Sequence, residues 1–180
     1  MLRAAAPADP PSFREATLSS LCAAAAELPP RLTALHRQVL DYWEDWRGEE
    51  RAPHYTELDP AAIRRALPHV LLWEHAENGD YRCRLAGTAV DAAIGTPLKG
   101  LWLSAIPCTL LDEARREFDA VRHRSLPCFV ERTMAWAGKP FLFYRHLLLP
   151  LAGASGRVER LLGILTFHSL EGEASYAGFA

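Results

Sequence analysis

The 180-residue chain has only four cysteines, Cys22, Cys83, Cys108 and Cys128, no two of them closer than 20 residues. That spacing leaves no CxxC motif and no zinc knuckle, and four are too few for a secreted disulfide scaffold. They read as small buried hydrophobes in a reducing compartment. No run of 18 apolar residues occurs, so no helix is expected to span a membrane. The opening Met1-Leu2-Arg3-Ala4 has no continuous apolar segment of signal-peptide length before its prolines, and the expected location is the cytoplasm. Neither charge is in excess: 20 Lys and Arg stand against 22 Asp and Glu, for a net charge of −2. A general nucleic-acid binder normally carries a basic surplus, and disorder by self-repulsion needs a surplus of one sign. Also missing are GxSxG, GxxxxGK and GxGxxG, and no two of the seven histidines stand at HxxxH spacing. Neither a nucleotide-binding loop, a nucleophile elbow nor a metal site is expected.

What remains is an ordinary globular composition, 49% apolar and 9% aromatic. At roughly 150 residues per domain it suggests about one domain, able to bury a sizeable core unaided. Residues 1–30 read as an extension: an Ala- and Pro-rich start, then a helix over 12–27 opened by a capping-box spacing at Ser12 and Glu15. Residues 31–66 read as an amphipathic helix and connector. Leu32, Leu35, Val39, Tyr42 and Trp46 recur at 3-4-3-4 spacing with Trp43 beside them, predicting a helix over 32–47 that ends near Gly48. This aromatic stripe either packs on the chain's own sheet or pairs with the same helix of a second subunit. The dimer-interface candidates are therefore Leu35, Val39, Tyr42, Trp43 and Trp46. Asp59-Pro60 has the form of a helix start and predicts a short helix over 60–66.

Residues 67–170 read as the core, with 171–180 a tail. His69 to His75 and Tyr81 to Leu85 predict two strands around an Asn78-Gly79-Asp80 turn, with Tyr81, Cys83 and Leu85 on one face. Thr88 to Ile94 predicts two helical turns. A helix from Thr109 to Arg124 follows, with Leu110, Leu111, Ala114, Phe118 and Val121 on one side. Three strands close the core: 127–136, Phe141 to Leu149, and Arg160 to His168. Phe141 to Leu149 is apolar on both sides, so its sheet is covered on both faces. The expected fold class is α+β, a five-stranded antiparallel sheet with a helical crossover, plus N-terminal amphipathic helices.

This order of elements resembles the PAS fold, and the local sequence resembles a family of small bacterial single-domain PAS proteins. The likeness is carried by Tyr42-Trp43 through Arg47-Gly48 and Pro53, by Leu58-Asp59-Pro60 with Ile63 and Leu67-Pro68, and by Tyr81 to Thr88. It continues through Gly95 to Gly100 and Leu148-Leu149-Pro150-Leu151, covering residues 35–168. The resemblance implies a signalling module that senses a small molecule or binds a partner protein, without catalysis. Haem-binding members present a histidine from the crossover helix, but His123 lies about 170° from the apolar stripe. Pro107-Cys108-Thr109 does not resemble a flavin-binding motif. Neither cofactor is expected, and an unidentified small molecule is.

The ligand-pocket candidates are Cys83, Leu85, Trp102, Phe118, Arg145, His146 and His168. Arg145 and His146 are adjacent in a strand, so only one can face the pocket. Arg145 pairs either with Glu131 across the hairpin or with an anionic ligand group. Trp102 and Phe118 wall a cavity or fill core, and His168 is a pocket or a core histidine. A Cys128–His146 dyad is the enzyme alternative, though nothing in the sequence orients it. A ligand-free, filled interaction module is the other alternative.

Overall fold

The computed structural model describes residues 19–22, 31–106, 110–170 and 172–175. Seven strands are described: β1 Ser19–Cys22, β2 Val70–His75, β3 Tyr81–Ala86, β4 Cys128–Met134, β5 Lys139–Ala152, β6 Val158–Ser169 and β7 Gly172–Ser175. They form one sheet in the order β1-β4-β5-β6-β2-β3, with β7 added to β6, and every strand pairing is antiparallel. The five strands expected from the sequence are β2 to β6. The three α-helices are α1 Ala34–Arg47, α2 Thr88–Ile94 and α3 Leu111–Arg124.

Both sides of the sheet are covered, as the two-faced apolar pattern of β5 requires. Alternation sends Leu142, Tyr144 and Leu148 to an inner face packed against Phe118 and Val121 of α3. It sends Leu147, Leu149 and Leu151 to an outer face packed against Val39, Leu40 and Trp43 of α1. The hairpin β2–β3 is tied to α3 through Asp80, which accepts from Ser104 Oγ at 2.6 Å and Arg115 Nη2 at 2.7 Å. Burial opposes ionisation of Asp80, but these bonds and the Tyr81 amide outweigh it and hold the carboxyl below its usual range. Tyr81 adds a second tie, donating its hydroxyl to Asp119 at 2.6 Å. The free side of β3 is occupied by the following loop: the Cys83 amide donates to Leu101 O, the Gly100 amide donates to Cys83 O, and Arg82 bridges to Trp102.

Three local expectations change. Ser19–Cys22, expected inside a helix, forms an edge strand on β4; the rest of the 12–27 helix and its Ser12 cap lie outside the described residues, as do Cys108 and Thr109. Pairing with β4 satisfies the backbone of Ser19–Cys22 from a neighbouring strand, where a weakly amphipathic helix would have little tertiary packing to stabilise it. Residues 60–66 make successive i to i+3 turns, such as Ala66 N–H to Ile63 O at 2.8 Å, rather than an α-helix. Asp59 does cap them, accepting from the Ala61 amide at 2.9 Å, but seven residues before Pro68 are too few to propagate. The buried stripe of α1 is also rotated. It runs through His36, Val39, Leu40 and Trp43 instead of Leu35, Tyr42 and Trp46.

His36 explains the rotation. The Thr33 amide donates to its Nδ1 at 3.3 Å, which leaves Nε2 protonated and donating to Ile164 O at 3.1 Å. With both nitrogens satisfied the ring can be buried, and burial lowers its pKa to about 4.

Candidate binding site on the inner face

The residues singled out as pocket candidates separate into three groups. Cys83, Phe118 and His146 come together on the inner face. Phe118 stands at the centre, edge-on to Trp73 at 5.5 Å, Tyr81 at 5.1 Å and His146 at 6.4 Å between centroids.

Arg145 and His168 belong to the outer face, because strand alternation turns them away from His146. Arg145 Nε donates to Glu131 Oε2 at 2.8 Å, the cross-hairpin pairing expected of it as structure. His168 lies 2.8 Å from Thr166 Oγ1 and stacks on Phe143. Neither walls the inner layer.

Leu85 and Trp102 are corrections of a different kind. Leu72 pairs with Leu85 but Trp73 pairs with Cys83, so Arg84 is an extra residue in β3. The bulge breaks the alternation and turns Leu85 outward, where it is 40% exposed. Trp102 is half-buried and sits beside Arg82, whose guanidinium lies 5.6 Å from its ring.

The dimer candidates divide as well. Val39 and Trp43 are fully enclosed by the chain's own sheet, and Trp43 Nε1–H donates to Pro150 O at 2.9 Å. They cannot supply an intersubunit surface. Leu35, Tyr42 and Trp46 remain half-buried on the flank of α1.

The inner face carries a polar set that sequence reading missed. Cys128, Val130, Arg132 and Met134 alternate inward along β4, so Arg132 enters the core. There its guanidinium pairs with Glu117 of α3 through Nη2. Alternation of β4 was the available signal, and Glu117 stands one helical turn before Val121 on the same side of α3. Trp73, on β2, joins the same layer.

His146 is the unusual member. It is buried, at 8% exposure, and its Nε2 has no hydrogen-bond partner among the described residues. Trp73 Nε1, Trp136 Nε1 and Arg132 Nε share that condition on the same face. Beneath the ring is Gly163 of β6, where an added Cβ would collide with His146 Nε2. Glycine there makes room for the imidazole. Burial, with smaller contributions from repulsion against a protonated His36 and from nearby Arg132, lowers the His146 pKa to about 3, so the ring is neutral at physiological pH.

The Cys83 thiol is raised to about 11 by burial and by nearby Asp91, and it donates to Leu85 O at 3.4 Å. A thiol so placed is a poor nucleophile. Cys128 is buried opposite Leu148, whereas His146 stands opposite Val130. His123 on α3 is exposed. No group of three or more potential metal ligands occurs among the described residues.

Residues 33–166 match the family described as PAS domain, which is most of the chain and both helical layers of the sheet. The chain belongs to the PAS domain family. No curated protein matches it. Among solved structures it is similar to one titled "Structure of an RNA-binding Light-Oxygen-Voltage Receptor", at 16% identity and a TM-score of 0.44. That alignment covers 83% of this chain and 38% of the receptor chain. Membership makes the chain a sensory or signalling module in the general sense of PAS domains. No helix of the described residues is long and apolar enough to cross a membrane.

Proposed function

We propose that this PAS domain senses a small molecule held between the inner face of its sheet and α3, performs no reaction on it, and passes occupancy to a partner protein. The observation that carries the reading is His146: a buried, neutral imidazole whose Nε2 has no partner among the described residues, on the layer shared by Phe118 and Cys83. Leaving a buried polar atom unsatisfied costs roughly 1–3 kcal/mol, and a bound molecule that completes the hydrogen bond would recover it. The occupant is taken to be neither haem nor flavin: His123 is exposed, and Pro107-Cys108-Thr109 does not resemble a flavin-binding motif.

Native mass spectrometry of the purified chain tests the proposal. A noncovalent adduct that is released on denaturation, and lost in His146→Leu, is the expected result. Bare protein, together with no rise in Tm after exposure to a small-molecule extract of the expressing cells, would overturn it.

The second reading is an adaptor with a filled core. It is favoured by the edge-to-face cluster of Trp73, Tyr81 and Phe118, which already occupies the centre of the inner layer. Under it the same experiment returns bare protein and His146→Leu is stable.

A further inference from the structure

Resting on the sensory reading above, we infer that the molecule held against His146 is uncharged and rich in hydrogen-bond acceptors: a ketone, lactone or amide rather than a carboxylate or a bare hydrocarbon.

Seven buried side-chain nitrogens lack a partner among the described residues, and four of them, on Trp73, Trp136, Arg132 and His146, belong to the inner layer. The two indoles and the arginine Nε can only donate, and the neutral imidazole offers one N–H of its own. The layer therefore has more unmet donors than unmet acceptors, and a complementary molecule supplies oxygens. A hydrocarbon would leave every one of those donors buried and unpaired.

Charge decides between the acceptor classes. The buried formal charges of this layer are Arg132 and Glu117, which neutralise each other in a pair. His146 adds none, since its burial keeps the ring neutral. At the edge, Asp119 and Arg122 flank Tyr81 and Asp91 lies near Cys83, so the surroundings carry no excess of positive charge. An entering carboxylate would bring a net negative charge into a desolvated layer whose buried arginine is already engaged. A carbonyl accepts the same hydrogen bonds without that penalty. The neighbouring side chains of this layer, Cys83, Phe118, Leu148 and Leu165, are apolar or aromatic, which matches a compact ring system better than a polar chain.

Three probes of nearly equal shape separate the classes on the unmodified chain: 1-tetralone, tetralin and 1,2,3,4-tetrahydro-1-naphthoate. Titration followed by calorimetry and by the indole N–H resonances should rank tetralone first, about tenfold tighter than tetralin, as expected for one or two recovered hydrogen bonds. The Trp73 indole N–H should move with tetralone and stay still with tetralin. Trp73→Phe and His146→Leu should each pull tetralone affinity towards that of tetralin while leaving tetralin within about twofold. Equal binding of tetralone and tetralin, tightest binding of the carboxylate, or no binding of tetralone overturns the inference, whether or not the variants fold. A co-purified molecule that is anionic or lacks acceptors also overturns it while leaving the sensory reading standing. Bare protein in the native spectrum strikes the sensory reading itself.

Discussion

Each face of the sheet buries its own apolar cluster, but the two treat their deepest polar rings differently. On the outer face His36 and Trp43 of α1 end on the backbone carbonyls of Ile164 and Pro150, while Trp46 Nε1 and Arg47 Nε farther along the helix have no partner among the described residues. On the inner face, Trp73 and His146 present equivalent nitrogens to nothing among the described residues. The deeply buried histidine and tryptophan thus fasten α1 on one side and stay open on the other. Under the proposed sensing role, the open pair on the inner face is hydrogen-bonding capacity held for a ligand.

The largest effect that would break this comparison is at the inner ion pair. Glu117→Ala leaves Arg132 charged and buried and should cost about 3–5 kcal/mol in urea unfolding. Adding Arg132→Met should restore much of that loss. If Glu117→Ala costs no more than a surface substitution, the inner layer is wetter than described.

Acid comes next. His36 is lowered to about 4 and His146 to about 3, while an unfolded chain takes up these protons near 6.5. The unfolded state therefore binds more protons as pH falls below 6.5, and stability declines with it. Above that value the histidines add no slope. Between pH 7.5 and pH 5 each should remove roughly 2 kcal/mol, read as a falling urea midpoint. His146→Leu should flatten that decline by about its own share.

At neutral pH the histidines should part company. His36→Leu gives up the Ile164 bond and the cap at Thr33, a loss of roughly 1–2 kcal/mol. His146→Leu gives up no bond and should be neutral or stabilising in ligand-free protein. The smallest contrast is between the tryptophans. Trp43→Phe should cost about 1 kcal/mol more than Trp73→Phe, because only the first forfeits a hydrogen bond. Equal losses in the two would put the faces on the same footing.

Much of this arrangement was legible because alternation is a strong signal. Period-two patterning placed β2 to β6, and the two-sided apolarity of β5 required cover on both faces before any coordinates. The adjacency of Arg145 and His146 showed that only one could face inward. What was hidden depended on partners distant in sequence. His36 drew no attention in the sequence because its partners, Thr33 and Ile164, become visible only in the fold, and that pairing rotates the buried face of α1. Leu85 was misplaced by a single bulged residue, Arg84, which no pattern in β3 announces. Arg132 was overlooked because a charge in a strand suggests exposure, and its partner Glu117 lies on another element. Ser19–Cys22 was read by local composition, whereas its strand conformation comes from pairing with β4.

One feature of the hairpin limits how this domain can meet other chains. The loop at Gly100–Trp102 lies along the free side of β3 and takes up the backbone amide and carbonyl of Cys83. That margin offers an incoming strand no open ladder at its middle, so end-to-end growth of the sheet is blocked there. An encounter on this side proceeds through protruding groups such as Arg82, Arg84 and Leu85, and its selectivity is set by side-chain chemistry rather than by main-chain pairing.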